Sequence, residues 1–402
     1  MSRHVRVSLV GEFGVGNYGN DACLEHELEV LRSARDVDVT VLCHLPDVVS
    51  DQHHVRARPV VAPVRHPRSL VGRMVMKGVD TFWLGWLVLR SDVLVVPGTG
   101  VFETQWAVPG AIPFVLCVLG LWSFVLRRPL LALSVGADDA GSPLARRLST
   151  AALRLSTLVT VRDDASAAAV ADRTGSTPRV VPDLVLGDPR SALVAAQPGV
   201  VGLGLLAYDG AAGYRNPDAV TRDAYVARAR ELVVRLVDLG KQVVLLRGSD
   251  SDGTFVELLD LEELVARGKV RVSDASTLPD VEAEVAAMEV LVASRYHNLL
   301  VAARTGTPMV ALGYGRSKQR EILRLADLED YAWPITDFDP ERVVAQVKEL
   351  ADRPRLRERI ASRADRASAA VRAQDDWLRR SVEAGGPPAR RRHYFPEDVA
   401  HA

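Results

Sequence analysis

Short apolar runs alternate with longer amphipathic stretches along most of the chain. The runs are rich in β-branched residues, which is typical of buried strands, and the intervening stretches have the periodicity of helices. Alternation of this kind predicts βαβ units with a parallel sheet. In the first half, the predicted strands are residues 5–10, 37–43, 92–96, 130–135, 158–161 and 179–181.

A second series of strands follows an irregular segment at residues 187–199. Its members are predicted at residues 200–206, 242–246, 270–272, 290–293 and 309–312. Gly and Pro interrupt the pattern between the two series, which indicates a domain boundary. The predicted fold class is therefore α/β, with two doubly wound, Rossmann-like lobes that face a cleft, at residues 1–190 and 195–384.

Beyond Pro340 the pattern predicts two helices, at residues 341–351 and 354–382, which we expect to close the second lobe. Gly385 and Gly386 end this periodicity, and residues 385–402, which include Arg390, Arg391 and Arg392, are predicted to form a flexible tail.

Composition and charge exclude several classes of function. Hydrophobic residues make up 48% of the 402 residues and charged residues 25%, so the chain has the composition of a globular protein with a large core. A net charge of -1 argues against a nucleic-acid partner held by phosphate contacts. Cys23, Cys43 and Cys117 are too widely spaced for a zinc ribbon or a disulfide framework, and no signal segment is recognisable, so a cytoplasmic location is expected.

Residues 107–126 form an uncharged segment as long as a membrane span. Pro109, Gly110 and Pro113 shorten its helical part to about residues 114–126, which favours a buried helix over a span. Trp83, Trp86, Trp106 and Trp122 lie in or near this segment. Peripheral contact with the inner face of a membrane therefore stays open as an alternative.

Glycines follow the first predicted strand and the strand at 92–96. Gly14, Gly16 and Gly19 satisfy G-x-G-x-x-G, but the loop is longer than in dinucleotide-binding proteins and no acid ends the second strand, so a NAD site is disfavoured. Asn20 or Asp21 can cap a helix there, whose N-terminal amides suit an anion or a sugar hydroxyl. Residues 97–100 read Pro-Gly-Thr-Gly, with Glu103 beyond them at the predicted ligand-binding edge.

Two predicted strands deliver cationic side chains to their carboxyl ends. Arg162 follows the strand at 158–161 and is either a clamp for phosphate or carboxylate or half of a salt bridge. Arg295 and His297 lie in the turn between the strand at 290–293 and a helix, and Lys318 follows the next strand. A histidine beside an arginine at such a turn suits general acid–base chemistry.

These residues lie within motifs that resemble the polysaccharide pyruvyl transferase family. The motifs are GNYGNDACL, PGTG, VRDDAS, VPDLVL, SRYHNLLVAARTGTPMVAL and YGRSK, in this order over about residues 5–325. The resemblance implies a fold similar to GT-B glycosyltransferases. It also implies transfer of pyruvate from phosphoenolpyruvate to two hydroxyls of a sugar. No step of this reaction needs a metal and the sequence has no recognisable ligand cluster for one, so no metal or other cofactor is expected.

By position, the resemblance implies that His297 is catalytic and that Arg162, Arg295 and Lys318 bind the donor. Candidate acceptor-binding residues are Asn17, Asp21, Asp183 and Glu103, although Asp183 could equally cap a turn. The sequence departs from the family pattern in the first glycine motif, where Asn20-Asp21 replaces Asp-Glu, and in PGTG, which replaces a triple glycine. Because the donor motifs are intact, these departures favour a changed acceptor over lost chemistry.

Two other functions remain open at this point. A GT-B glycosyltransferase with a nucleotide-sugar donor would also need a cationic turn in the second lobe, and a non-catalytic glycan-binding protein would tolerate the altered motifs. The expected partners are phosphoenolpyruvate and a cell-envelope or extracellular polysaccharide sugar, either free or linked to a lipid.

Overall fold

The computed structural model describes residues 4–64, 69–105, 107–187, 194–209, 218–248, 250–313 and 318–388. Trp106, the Tyr-Gly-Arg-Ser of the YGRSK motif and the predicted tail beyond residue 388 lie outside these ranges. The chain forms two compact units. The first comprises Met1–Val15, Cys23–Gly187 and Ala369–Ala402, and the second comprises Gly16–Ala22 and Asp188–Ser368.

The first unit contains a parallel sheet of seven strands in the order β3-β2-β1-β4-β5-β6-β7. The strand order reverses between β1 and β4, which both pair in parallel, so the sheet is doubly wound and has a topological switch point there. The strands are β1 (Val5–Val10), β2 (Val37–Cys43), β3 (Arg56–Pro59), β4 (Val93–Pro97), β5 (Leu130–Val135), β6 (Leu158–Val161) and β7 (Arg179–Val180).

Helices cover both faces of this sheet, and each face has its own apolar core. One core contains side chains of α3, α4, α5 and α6, and the other contains side chains of α1 and α2. The helices are α1 (Tyr18–Ser33), α2 (Pro46–His53), α3 (Leu70–Leu89), α4 (Ile112–Leu126), α5 (Pro143–Leu155) and α6 (Asp164–Thr174).

The second unit repeats the same topology with six parallel strands in the order β10-β9-β8-β11-β12-β13. Its switch point lies between β8 and β11. The strands are β8 (Val200–Gly204), β9 (Gln242–Leu245), β10 (Val270–Val272), β11 (Val290–Ala293), β12 (Met309–Gly313) and β13 (Ala332–Pro334). The helices are α7 (Ala219–Asp238), α8 (Asp250–Leu258), α9 (Glu262–Ala266), α10 (Leu278–Ala286), α11 (Tyr296–Thr305), α12 (Lys318–Ala326), α13 (Pro340–Ala351) and α14 (Leu356–Glu383).

Two doubly wound α/β sheets were predicted, and this fold class is confirmed. All eleven predicted strands are present with small shifts at their ends. The structure adds β3 and β13, which lie at sheet edges. Their sequences, RARP and AWP, are short and contain proline, which edge strands tolerate and central strands do not, so neither gives an apolar run.

The uncharged segment at residues 107–126 forms a helix only from Ile112 onwards. Pro113 lies in the first turn of α4, where its missing N–H is not needed. One face of α4 packs in the first unit's core, as expected of a buried helix, whereas Leu121, Phe124 and Val125 are exposed. Among the described residues, no helix combines the length and the apolar character needed to cross a bilayer.

The last helix differs from its predicted place in the second lobe. From Ala369 onwards, α14 belongs to the first unit. Gln374 explains this: its Oε1 accepts a hydrogen bond from Thr160 Oγ1 at 2.6 Å, and its Nε2 donates to Ser134 Oγ at 3.0 Å. Leu378 and Val382 complete the same core as α1. The helical pattern of a sequence does not indicate which sheet the helix packs against.

A buried carboxyl group on α1 predicts an unusual pH dependence of stability. Both carboxyl oxygens of Glu27 are buried without a hydrogen-bond partner. Burial, and secondarily the charge of Asp375, raise the pKa of Glu27 from 4.5 to about 8, while His26 opposes this. Because the folded protein retains this proton and the unfolded chain loses it, the contribution of Glu27 to stability falls as the pH rises from about 4.5 to 8.

We therefore expect Glu27→Gln to flatten this decline. Urea unfolding at a series of pH values between 5 and 9 should show the wild type losing on the order of a few kcal/mol relative to Glu27→Gln as the pH rises. Glu29→Gln, an exposed change on the same helix, serves as the matched control and should run parallel to the wild type. If the stability of Glu27→Gln changed with pH in parallel with the wild type, Glu27 would not be the group with the raised pKa.

Candidate functional site

The carboxyl end of β11 carries the predicted catalytic turn of the second unit. Ser294 follows the last residue of β11, Arg295 is the N-cap residue of α11, and His297 lies in the first turn of that helix. Ser294 N donates to Gly204 O at 2.9 Å, which ties the turn to β8. The turn therefore lies at the switch point between β8 and β11, where open α/β sheets bind their ligands.

Arg295 is held in place by Asp252, a residue that the sequence analysis missed. Arg295 Nη2 donates to Asp252 Oδ1 at 2.5 Å and Nε donates to Oδ2 at 2.9 Å, so the pair is bidentate. Asp252 is buried and also accepts from Ala207 N at 3.1 Å and Gly248 N at 2.8 Å. One carboxylate thus joins the carboxyl ends of β8, β9 and β11.

Gly248 gives the Arg295 side chain its space. A Cβ at Gly248 would lie 2.9 Å from Arg295 Cγ, which is closer than real side chains approach. The sequence signal for this part of the site was the polar GSDSDG segment directly after the predicted strand at 242–246. An acidic residue in a loop does not by itself indicate a partner arginine 43 positions further along the chain.

The start of α1 packs against the His297 ring. Gly19 approaches so closely that a Cβ there would overlap His297 Nδ1 and Cγ. On the next residue back, the Tyr18 hydroxyl donates to Asn298 Oδ1 at 2.5 Å. Burial is the main cause of a raised pKa for Tyr18, with Asp252 and Glu282 contributing and Arg295 opposing, so its phenol stays protonated. Gly19, the third glycine of the first motif, therefore leaves the space that the His297 ring occupies.

Asn17 and Asp21 take local roles in the same helix start. Asn17 Oδ1 accepts from Gly19 N at 3.2 Å, and its carbonyl accepts from Asn20 N and Asp21 N. The helix cap predicted at Asn20 or Asp21 is therefore wrong, because α1 begins earlier, at Tyr18. Asp21 lies in the first turn, where a carboxylate is favoured by the helix dipole.

Lys318 is the first residue of α12, beyond the carboxyl end of β12. The next residue, Gln319, is buried and donates from Nε2 to Ser294 O at 3.0 Å. This bond joins the start of α12 to the β11 turn. The structure therefore brings Arg295, His297 and the helix that Lys318 begins to one edge of the second sheet.

In the first unit, Arg162 is surrounded by carboxylates. Its guanidinium is buried and forms an ion pair with Glu103, with further contacts to Asp163 Oδ2 at 3.5 Å and Asp183 Oδ2 at 3.6 Å. Of the two roles that the sequence left open, this structure shows the salt bridge. The donor-binding role of Arg162 stays a prediction.

Glycines again make room for this cluster. A Cβ at Gly136 would lie 2.6 Å from Arg162 Nη2, and one at Gly100 would lie 2.8 Å from Glu103 Cδ. Both glycines follow strands of the sheet, β5 and β4, so the cluster occupies the carboxyl edge of the first sheet. The predicted PGTG turn therefore lines a charged site, as expected of a glycine-rich exit from a strand.

Asp183 is a structural cap as well as a member of the Arg162 cluster. It is buried, and its Oδ1 accepts from Val185 N at 3.2 Å at the start of a short 3₁₀ turn, Leu184–Leu186. Cys23 Sγ lies 3.6 Å from the same oxygen. Burial and then Asp183 raise the pKa of the Cys23 thiol well above its ordinary value, which makes it a poor nucleophile.

Comparison with known protein families decides the affiliation. A family model described as polysaccharide pyruvyl transferase matches residues 17–316. The chain belongs to this family. The matched part of this pyruvyl transferase family member runs from the start of α1 to just before Lys318, and it contains both the Arg162 cluster and the β11 turn. The resemblance stated from the motifs is thereby confirmed.

Solved structures show the same fold in other enzymes at low sequence identity. UDP-GlcNAc 2-epimerase from Neisseria meningitidis bound to UDP-GlcNAc has a TM-score of 0.61 at 11% identity, over 93% of this chain and 99% of that chain. MnaA from S. aureus, in a structure with UDP, has a TM-score of 0.62 at 12% identity, over 97% of this chain and 100% of that chain. MurG from Acinetobacter baumannii has a TM-score of 0.54 at 12% identity, over 94% and 99%.

These similarities establish a GT-B-like fold of two parallel-sheet α/β domains. At 11–12% identity they carry no information about the ligand of this chain. No curated protein sequence matches the chain significantly.

The geometry around Arg295 leads to a specific prediction for Asp252. The family resemblance implies phosphoenolpyruvate as the donor, and on that expectation Asp252→Asn should weaken its binding at least about tenfold. A neutral amide cannot hold the guanidinium bidentately, and the buried ion pair is broken. The measurement is the Kd from a calorimetric titration. Asp337→Asn removes the exposed partner of Arg228 in the same unit and should leave the Kd unchanged. An unaltered Kd in Asp252→Asn would show that Arg295 orientation is irrelevant to the donor.

Proposed function

We propose that the protein transfers pyruvate from phosphoenolpyruvate to two hydroxyls of one sugar unit in a polysaccharide or its precursor. The observation that carries the proposal is the position of Arg295 and His297. They lie in the part of the chain that matches the pyruvyl transferase family, at the switch point of the second sheet. The proposed acceptor belongs to the cell envelope or to an extracellular polysaccharide.

Positively charged groups lie at this edge of the second sheet, and binding of a donor with a phosphate and a carboxylate requires such groups. Helices α11 and α12 both begin there, and their N-terminal amides carry partial positive charge. Arg295 has a fixed orientation through Asp252, and Lys318 begins α12. In the proposed complex, these groups bind the phosphate and the carboxylate of phosphoenolpyruvate.

The reaction adds two oxygen atoms to the central carbon of the donor and removes phosphate. The methylene carbon gains a proton and becomes a methyl group, the first sugar hydroxyl loses its proton as its oxygen bonds to the central carbon, and the carbon–oxygen bond to phosphate breaks. The second hydroxyl then closes the ketal, and its proton leaves with phosphate. His297 performs one of the proton transfers at the donor, since imidazole both donates and accepts protons near neutral pH.

The first unit offers a different kind of site. Glu103, Asp163 and Asp183 outnumber the one guanidinium they surround, so the cluster has an excess of negative charge. Carboxylates accept hydrogen bonds from sugar hydroxyls, and we assign the acceptor to this edge of the first sheet. Arg162 would then hold Glu103 and Asp183 in position, instead of binding the donor directly.

The competing function is transfer from a nucleotide sugar. It is favoured by the fold, because structural relatives were solved with UDP-GlcNAc and UDP, but the low identity limits that argument to the fold.

A transfer assay with two labelled donors separates the two functions. The acceptor is the polysaccharide and lipid-linked oligosaccharide fraction of cells from which this gene has been deleted. Label from phosphoenolpyruvate should enter this fraction with release of an equal amount of phosphate, and label from UDP-sugars should not. Incorporation only from a UDP-sugar would refute pyruvyl transfer.

A further inference from the structure

The outward face of α3 is apolar along its length. Val75, Val79, Phe82 and Leu89 recur at helical spacing and are all exposed, with 74% of the Phe82 surface accessible. Surface helices of globular proteins normally present charged residues on this side. The opposite side of α3 is already buried, because Leu84, Leu87 and Val88 pack in the core of the first unit.

Helix α4 lies beside α3 and extends the same surface. Trp122 Nε1 donates to Thr81 O at 2.8 Å, and the Trp122 ring packs on Gly85. On the outward side of α4, Leu121, Phe124 and Val125 are exposed, and 67% of the Phe124 surface is accessible. Neighbouring helices thus expose adjoining apolar stripes, a feature that marks an interaction surface in soluble proteins.

Basic residues outnumber acids in α3, in α4 and in the residues that end these helices. The two helices and the residues that end them contain a single acid, Asp80, which is buried, accepts from Ala62 N and lies 3.7 Å from Lys77 Nζ. The basic residues of the same segments are Arg73, Lys77, Arg90, Arg127 and Arg128. Arg128 forms an ion pair with Asp92 at 2.8 Å, so Arg90 and Arg127 are the cations on which the argument rests.

Aromatic rings and cations meet at the edge of the surface. Arg90 lies over the Trp86 ring at 4.6 Å, with Arg58 at 5.3 Å from the same ring, and Lys77 lies over Phe114 at 4.4 Å. Tryptophan with arginine or lysine beside an apolar face is the arrangement that proteins place at the headgroup level of a bilayer, where the rings are half buried and the cations reach the phosphates.

We propose that the outward faces of α3 and α4 bind the surface of an anionic lipid bilayer. Met74, Val75, Phe82, Phe124 and Val125 enter the boundary between headgroups and acyl chains, while Arg90 and Arg127 contact lipid phosphates. Both helices lie in the plane of the membrane without crossing it, as amphipathic interfacial helices do. A second copy of this chain is a poorer occupant, since its Arg90 and Arg127 would face the same positive charges across the interface.

The proposed binding of α3 and α4 to a bilayer does not depend on the transfer reaction. If the proposed function is correct, membrane binding would bring the enzyme to an acceptor carried on a lipid, which the sequence analysis left open. The vesicle experiment below contains neither donor nor acceptor, so its failure and the failure of pyruvyl transfer are distinguishable.

The test is co-sedimentation of the full chain with vesicles of phosphatidylglycerol and phosphatidylcholine, beside vesicles of phosphatidylcholine alone. We expect the wild type to bind the anionic vesicles more tightly, and added salt to weaken that binding. Phe82→Glu with Phe124→Glu should reduce the partition coefficient at least about tenfold. Arg90→Gln with Arg127→Gln should reduce it about tenfold or more for anionic vesicles only, at roughly fivefold for each arginine.

The matched control is Val220→Glu with Leu258→Glu, which places the same charges on exposed apolar positions of the second unit. This control should bind vesicles like the wild type, and all variants should keep the wild-type circular dichroism and melting temperature. Three results would overturn the proposal. They are no vesicle binding by the wild type, vesicle binding by the Phe82→Glu, Phe124→Glu variant equal to that of the wild type, and a wild-type dimer in sedimentation velocity that becomes a monomer in this double variant.

Discussion

Replacing His297 with alanine is expected to lower kcat by about 10² to 10⁴, the usual contribution of a positioned general acid or base. Phosphoenolpyruvate should still bind with a Kd within a few-fold of the wild type, because Arg295 and its partner Asp252 do not depend on the imidazole for their contacts. Steady-state kinetics and a calorimetric titration on the same preparation measure the two quantities.

The controls for His297 separate chemistry from folding. His4→Ala removes an exposed histidine from the first strand region and should leave kcat unchanged. His297→Gln keeps most of the side-chain volume but cannot exchange a proton, so it should be as inactive as His297→Ala. Any residual activity should lack the part of the pH–rate profile that the imidazole causes. A His297→Gln protein with wild-type kcat would exclude His297 from proton transfer.

Gly19→Ala should cost nearly as much as the loss of His297 itself. The backbone of Gly19 is helical, so alanine is conformationally acceptable there, and the obstacle is space: the added methyl group would overlap the His297 ring at Nδ1 and Cγ. Either the ring rotates away or the start of α1 moves. We expect kcat to fall about 10²-fold, since catalysis depends on the position of the reacting groups to within about an ångström.

Gly78→Ala is the matched control for Gly19. It also lies inside a helix, but a Cβ there would meet no atom within 4 Å. Alanine should therefore stabilise that helix by roughly 0.5–1 kcal/mol and leave kcat alone. Chemical shifts of a ¹⁵N-labelled His297 ring would report the displacement directly. A Gly19→Ala protein with unchanged ring shifts and unchanged kcat would show that the contact is unimportant.

The strands and the turn that bears His297 were predictable because their signals are local. Residues 290–297 pass from an apolar run to polar residues, and that change alone locates the end of β11. The two edge strands were missed for an equally local reason: Arg56–Pro59 has no apolar run to detect.

Contacts between residues distant in sequence were not predictable. Asp252 and Arg295 are 43 positions apart, and nothing in the pattern of either segment specifies the other. The same holds for Arg162 and two of its carboxylate partners, Glu103 and Asp183, which come from other segments of the chain. Helix α14 shows the limit for packing, because the hydrogen bonds of Gln374 and the core contacts of Leu378 and Val382 that place its second half in the first unit join residues far apart in sequence.

Calorimetric titration of the purified protein with phosphoenolpyruvate tests the central claim most directly, since it requires no knowledge of the acceptor. We predict saturable binding that is lost in Arg295→Ala, retained in Arg228→Ala as the matched control, and unaffected by UDP-GlcNAc or other nucleotide sugars. Saturable binding of a nucleotide sugar by a protein that does not bind phosphoenolpyruvate would contradict the account.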